Sequence, residues 1–437
     1  MKTDRDGFTE IEDRITQLAN PGILPGLGRL SCLLSKLGHP ERQFRVFHVV
    51  GTNGKGSTAA FLSAILQKAG LRTGLYTSPH LVSVGERIRL NGAVVETALW
   101  KEELDQIAAA LRFWPNGMRY PSFFELMTAL SFLMFARLKV DTAVLEAGMG
   151  GRLDATTIHP NVEVTVITDI AMDHARYLGN DEKLIAWEKM SVIRRSGKAV
   201  FTGGRTLFND LFRKVCSMRS ATGWVLSECT STVPVKEDVR GTVFDCVTPC
   251  RTLEGLEIGM AGRHQIKNCV NAIAAVDMAG TPYSGVSDEN ILLAAADCFW
   301  PGRLEVRTWK GRRVLLDGAH NPHALETLAN ALRDIDIRPS DVTVVWTMMK
   351  DKDIGACVNL IPFLGSRVIC AGIPGNPRCF PQNDMAAFIA GRTGIVEVDA
   401  RDNVLDAMNE ATLQEGTILC CGSLYLVGQC RRIMEHE

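Results

Sequence analysis

Gly51-Thr52-Asn53-Gly54-Lys55-Gly56-Ser57 puts three glycines, a lysine and a hydroxyl into seven residues, between an apolar run and a helical stretch. Glycines let backbone N–H groups turn toward an anion, a following helix adds the positive end of its dipole, and Lys55 adds a point charge. Ser57, at the helix start, has the hard oxygen that magnesium prefers. The spacing departs from the standard phosphate-loop motif, because Val49 stands where the first Gly would be and Gly56 separates lysine from hydroxyl. The competing reading is a plain glycine turn with Ser57 as helix cap. Glu146 lies just beyond a Val/Leu run, outside a strand's carboxyl end, where α/β sheets bind ligands. It reads either as a ligand-binding carboxylate or as the partner of a nearby arginine. Phe123 and Phe124, side by side at a helix start, offer an apolar face to a flat heterocycle or simply join the core. Alone, Lys189 reads as a solvated surface lysine and His174 as a structural histidine.

These residues need a scaffold that holds loops at strand ends. Short apolar runs at 44–50, 74–76, 142–145, 162–167 and 199–201 alternate with helical stretches such as 123–138 and 182–193. That alternation predicts crossover units around a mainly parallel sheet. After the glycine loop, Leu62, Ile65, Leu66 and Ala69 form an i, i+3, i+4, i+7 stripe that stops at Gly70. Residues 222–259 read as a small antiparallel addition without a periodic helix. Trp300-Pro301-Gly302 breaks a helical stretch, and a second series of strands follows at 314–316, 342–346, 368–370 and 417–419. Two α/β domains are expected, 1–300 and 301–437, with Trp300 to Gly302 as hinge.

The composition agrees. The 437 residues carry 48 Lys+Arg against 49 Asp+Glu, a net charge of −1, with 46% hydrophobic and 22% charged residues. This is a core-forming chain without a broad basic surface for a nucleic-acid backbone. Its 13 cysteines lack zinc-ribbon spacing and read as reduced thiols of a cytoplasmic protein. The first 14 residues alternate charges rather than forming an apolar signal core. The longest uncharged apolar run, at 126–136, has 11 residues, too few to span a bilayer.

Several ordered blocks are specific. The glycine loop, Thr77-Ser78-Pro79-His80-Leu81, Glu86-Arg87-Ile88-Arg89, Glu146-Ala147-Gly148-Met149-Gly150-Gly151-Arg152-Leu153-Asp154-Ala155-Thr156, Asp173-His174, Pro301-Gly302-Arg303, Asp317-Gly318-Ala319-His320-Asn321-Pro322 and Gly422-Ser423-Leu424-Tyr425 together resemble the bifunctional dihydrofolate synthase/folylpolyglutamate synthase family of the Mur ligase superfamily. The resemblance runs along nearly the whole chain. It implies a Mur-ligase-like P-loop ATPase domain with a mainly parallel sheet, then a smaller Rossmann-like glutamate-ligase domain. The implied reaction joins L-glutamate to dihydropteroate, to a folate, or to both, through an acyl phosphate made with ATP. By resemblance, Gly54, Lys55, Gly56, Ser57, Asn268, Arg303 and Asp317 contact ATP, and Asn268 starts a helix. Ser78, Glu146 and His174 hold magnesium, although hardness alone would reject His174. Lys189 would be carbamylated to N6-carboxylysine and bind a second magnesium ion. Lys55, Glu146, His174 and Lys189 form the catalytic set, and Ser122, Phe123, Phe124, Leu153, Asp154 and Ala155 the pterin site.

The sequence departs from the family at Met190-Ser191, usually Ala-Gly, at Thr157, usually Asn, and at Ala175, often Thr. A monomer is expected, with no nucleic-acid or membrane partner. A cell-wall Mur ligase, the nearest alternative, would carry about 100 residues of nucleotide-sugar-binding domain before the loop, where this sequence has 50. The other alternative is a non-catalytic nucleotide-binding relative.

Overall fold

The run Arg-Val-Phe-His-Val-Val forms β1 (Arg45–Val50), buried from Val46 onward, as a central strand of a sheet covered on both faces must be. In this computed structural model, which describes residues 2–22, 24–172, 179, 181–395 and 397–436, β1 is the middle of the larger sheet. Asp173, His174 and Ala175 lie outside the described residues. The other strands are β2 (Thr73–Tyr76), β3 (Ile88–Leu90), β4 (Ala93–Val94), β5 (Thr142–Glu146), β6 (Val162–Ile167), β7 (Lys198–Phe201) and β8 (Thr222–Val225), in the order β4-β3-β2-β5-β1-β6-β7-β8. All neighbours are parallel except β2 with β3 and β3 with β4.

The small antiparallel addition is shorter than expected. β9 (Ser231–Asp238), β10 (Gly241–Val247) and β11 (Thr252–Ile258) form it, while 222–225 extends the large sheet in parallel beside β7. A third sheet holds β12 (Glu305–Trp309), β13 (Arg312–Leu316), β14 (Val342–Trp346), β15 (Arg367–Ala371), β16 (Glu397–Arg401) and β17 (Thr417–Cys421), ordered β12-β13-β17-β14-β15-β16. Only β12 runs antiparallel there. The strand expected first after the hinge, now β13, is therefore second. β12, with three exposed residues in its middle, carries no apolar run that would have revealed it.

The helix after the glycine loop, Lys55–Lys68, is buried on more than the predicted stripe: Ala59, Ala60, Phe61 and Leu62 are all covered. The helices Arg263–Ala279 and Asp288–Asp297 pack over it and share its apolar core. A helix held on several sides fixes the loop at its N-terminus. Among the described residues no helix is long and apolar enough to cross a membrane.

Strand order decides what meets what. β2, β5, β1 and β6 are adjacent and parallel, so the loops after their carboxyl ends share one edge of the sheet. Residues 77–78, Glu146, the glycine loop and residues 168–172 all lie there. In the third sheet the segments after β13, β17 and β14 likewise share one edge, carrying Asp317, Ser423 and Met349. The two edges face each other across one cleft.

Candidate active site

The cleft has a volume of about 310 Å³ and is lined by Lys55, Ser57, Ser78, Glu146, Asn268, Arg303 and Asp317 among others. The structure thus brings together residues that the sequence scatters over more than 260 positions. The loop is tied down from β6, because the amides of Thr52 and Asn53 donate to the Asp169 carbonyl at 2.8 and 3.3 Å. Gly54 caps the helix at φ +84°, and a Cβ there would lie 2.3 Å from Asn268 Oδ1. Lys55 Nζ donates to the Thr52 carbonyl at 2.9 Å.

Ser57 is not the cap. It sits on the first turn, buried, and its Oγ has no hydrogen-bond partner. A buried hydroxyl without a partner costs free energy, which a cation or phosphate in the cleft would relieve. Across from it, Glu146 ends β5, one strand over from Val49, and its Oε2 accepts the Ser78 N–H at 3.1 Å. Burial pushes the Glu146 carboxyl above its ordinary pKa, while Lys55, the Ser78 amide, Arg303 and Arg87 pull it back. Ser57, Ser78 and Glu146 offer oxygen donors only, which fits magnesium. Among the described residues no three His, Cys, Asp or Glu side chains converge as a metal cluster, so such an ion would rest partly on hydroxyls.

Lys189 is no surface lysine. It is 3% exposed, at the end of the helix Glu182–Met190, and its Nζ donates to the Gly51 carbonyl at 2.7 Å. That helix is three residues shorter than predicted. Met190 turns away from the loop into an apolar cluster with Ile167, Ile170 and Ile185.

Asn268 does not start its helix. The helix Arg263–Ala279 begins five residues earlier, capped by Gly262, so Asn268 occupies the second turn, buried. Its Nδ2 donates to Gln265 Oε1 at 2.9 Å and its Oδ1 accepts from Thr58 Oγ1 at 3.4 Å. A polar cap is therefore excluded as the reason for this residue. Asp317, following β13, accepts the amides of Leu304 and Ala319 at 2.8 Å each, and burial raises its pKa against the pull of Arg303.

The aromatic segment reaches the same edge of the sheet, beside Gly148. Ser122 caps the helix Phe123–Arg137 reciprocally with Glu125, so its hydroxyl is engaged. Phe123 and Phe124 are partly buried against the core, and Phe124 lies over Gly148, where a Cβ would come within 2.6 Å of the ring. Asp154 is buried, accepts from the Met149 and Thr156 amides and from Thr156 Oγ1, and has its pKa raised by burial. Ala155 is buried beside it, whereas Leu153 is 36% exposed.

Sequence reasoning missed two contacts. Asn53 and Asn321 form a reciprocal amide pair between the glycine loop and the segment after β13, at 3.3 and 3.0 Å. Glu86 accepts the amides of Leu81, Val82 and Ser83 at 2.8–2.9 Å, holding the loop that carries Ser78. Only the place of Glu86 and Asn321 within the family-like segments 86–89 and 317–322 marks them.

Known proteins share this fold. The Mur ligase middle domain matches residues 49–276, and the Mur ligase glutamate ligase domain matches residues 302–424. The dihydrofolate synthase/folylpolyglutamate synthase of Bacillus subtilis is 31% identical over 419 residues, 94% of this chain and 95% of that protein. The Escherichia coli protein of the same name is 30% identical over 415 residues, covering 94% and 91%. Mycobacterium tuberculosis folylpolyglutamate synthase complexed with ADP superposes with a TM-score of 0.89 at 29% identity, over 99% of both chains. Escherichia coli FolC in complex with DHPP and ADP gives 0.86 at 28% identity, over 98% of both. The chain belongs to the dihydrofolate synthase/folylpolyglutamate synthase family of Mur ligases.

Proposed function

We propose that this protein is an ATP-dependent ligase that joins L-glutamate to dihydropteroate, to the γ-carboxylate of a folate, or to both. The observation that carries this reading is the single cleft in which Lys55, the unpartnered Ser57 hydroxyl and Glu146 face Arg303 across the carboxyl edges of two sheets. In the first step an acceptor carboxylate oxygen bonds to the γ-phosphorus, the bond to the β-phosphate oxygen breaks, and ADP leaves with that electron pair. In the second the glutamate amine attacks the acyl carbon, phosphate departs with the C–O electrons, and the amine loses its proton. Neither step needs a protein nucleophile; both need positioning and positive charge.

Lys55 and the loop amides would hold the β- and γ-phosphates, with Gly56 letting the chain approach them and Arg303 and Asp317 closing from the C-terminal side. Magnesium held by Ser57, Ser78 and Glu146, with His174 as a further ligand, would supply Lewis-acid neutralisation of the phosphates. Lys189, buried under Gly51, is the residue we assign to carbamylation and a second ion. Phe123, Phe124 and the segment 153–155 would seat the pterin, with Ser122 and Asp154 fixing its walls through backbone bonds. The division near Trp300 would serve as the hinge that shuts water away from the acyl phosphate. In this reading the enzyme is a cytoplasmic monomer whose free thiols stay reduced.

The test is ADP release by purified protein given ATP, magnesium, glutamate and either dihydropteroate or tetrahydrofolate, with product mass identifying the acceptor. ADP release that does not depend on a pteroyl acceptor refutes the assignment. Lys55→Ala and Glu146→Ala should each lose turnover while keeping the far-ultraviolet dichroism of the parent. Normal ligation by either removes that residue from the machinery.

A further inference from the structure

Consecutive residues of the glycine loop are tied in opposite directions. Thr52 Oγ1 donates to the Ala171 carbonyl at 3.0 Å and accepts the Ala171 amide at 3.1 Å, which fastens it within the middle domain. Asn53 reaches across the cleft instead. Its Nδ2 lies 3.3 Å from Asn321 Oδ1 and 2.9 Å from His323 Nδ1, and its Oδ1 accepts Asn321 Nδ2 at 3.0 Å. Its partners stand at the start of the helix Pro322–Asp334, just after Asp317. That segment is bound into the glutamate ligase domain, because the Gly318 amide donates to the Gly302 carbonyl and the Gly422 amide to that of Ala319, each at 2.9 Å. Whatever moves that domain moves Asn321.

One helix cap sets the direction of every bond in this group. Asn321 is the N-cap, and its Oδ1 accepts the Ala324 amide at 2.9 Å. A backbone N–H needs an acceptor, so the atom it meets is the oxygen, and the atom that Asn321 turns toward Asn53 Oδ1 is the nitrogen. Asn53 therefore gives its oxygen to Asn321 and has Nδ2 left for His323. Nδ2 has only protons to offer, so His323 Nδ1 accepts, and the neutral ring carries its proton on Nε2. A bond made to end a helix thus fixes an amide in the phosphate loop and a tautomer among the residues lining the cleft. The cap by itself needs neither Asn53 nor His323.

We propose that Asn321 and His323 are positioning residues of the phosphate loop, supplied by the glutamate ligase domain. They act through Asn53. With the two domains together the loop is held from both sides, by Asp169 and Ala171 on one and by the amide pair on the other. This rests on the nucleotide site proposed above. Gly54 and Lys55 follow Asn53 directly, so its setting passes to the amides that face the phosphates. Phosphoryl transfer depends on placement more than on a protein nucleophile. A loop completed only on closure leaves ATP poorly aligned while the cleft is open, and aligned once the domain that binds over it has arrived.

The test uses the full chain and two readouts. Nitrogen NMR spectra of protein with isotope-labelled histidine, the His323 signals being those lost in His323→Gln, should show a bare Nδ1 and a protonated Nε2 in the parent. Asn321→Asp keeps an oxygen for the cap but turns a second oxygen toward Asn53, so the Asn53 amide should flip and the His323 tautomer invert. For turnover, Asn321→Ser still caps the helix but is too short to reach Asn53. Its kcat for ligation should fall on the order of tenfold, while the Kd for ADP, which binds the loop before closure, should hold. His323→Phe should lose turnover likewise, and His323→Gln, which keeps an acceptor, should recover most of it. A parent tautomer protonated on Nδ1, no inversion in Asn321→Asp, an unchanged kcat in Asn321→Ser, or a loss of ADP affinity equal to the loss of kcat overturns the positioning role. ADP release that needs no pteroyl acceptor refutes the proposed function instead, and the tautomers and the rate of that release then decide the role of the pair.

Discussion

Gly54→Ala tests the geometry of the phosphate loop without touching its charge. The backbone there has φ +84° and ψ −6°, a left-handed conformation that costs an L-residue roughly 1–2 kcal/mol. The added methyl would also meet Asn268 Oδ1 at 2.3 Å, with Cγ at 3.3 Å and Nδ2 at 3.5 Å. To reach ordinary contact the amide must retreat by about 1 Å. That retreat breaks a buried pairing with Gln265 or Thr58, worth about 1 kcal/mol. The whole substitution should therefore cost roughly 2–3 kcal/mol in equilibrium urea unfolding. Asn268→Ala removes all three atoms that the methyl meets, so in that background only the backbone cost, about 1–2 kcal/mol, should remain. The double-mutant cycle should show a coupling of about 1 kcal/mol. ADP affinity should follow the same pattern if the loop is what moves. Costs that add within about 0.5 kcal/mol would show that Asn268 does not constrain Gly54, and the reading of this contact would fall.

Carbamylation of Lys189 would leave one N–H on Nζ to keep the bond to the Gly51 carbonyl. Isotope-labelled bicarbonate should then give a carbamate carbon resonance that Lys189→Arg lacks. A neutral-pH crystal structure with bicarbonate and magnesium that shows a bare amine refutes the modification. His159 is fully buried between Phe44 and Phe132, and burial holds its pKa near 3 against an ordinary 6.5. Between those values the unfolded chain binds the extra proton, so stability rises with pH across the window and is lost as pH falls from about 6.5 toward 3. His159→Phe should lower the slope of unfolding free energy against pH near pH 5 by about 1.4 kcal/mol per unit. An unchanged slope would mean that His159 is charged in the native state.

What the sequence made legible follows from how far each signal reaches. The glycine loop, its strand and its helix are contiguous, and the apolar runs of β1, β5 and β6 are long enough to read directly. Thr222–Val225 reads as part of the small antiparallel piece because a four-residue strand with two exposed positions carries no mark of its partner. Asn268 reads as a helix start because Gly262 and the three polar residues before Ile266 hide an earlier cap. Lys189 is the clearest case. Its helix shows a lysine in the last turn, as surface helices often do, and only the packing of that helix against a carbonyl 138 positions away makes it buried.

The same limit explains why a net charge of −1 was a poor guide to the cleft. Lys55, Arg303, Lys352 and Arg378 line it, which on a count alone calls for matching acids. The acids are present, but backbone amides occupy them: Asp317 takes those of Leu304 and Ala319, and Glu86 takes those of Leu81, Val82 and Ser83. A carboxylate held by amides is fixed in place, and its pairing capacity is largely spent on the loop. Glu146, with one such bond to Ser78, faces the cleft with an oxygen to spare. Counting charges along the chain treats all three acids as equal, whereas the folded site spends two of them on backbone amides and leaves the cations with Glu146 beside the phosphate loop. That is the distribution demanded by a reaction that brings a polyphosphate and a carboxylate together.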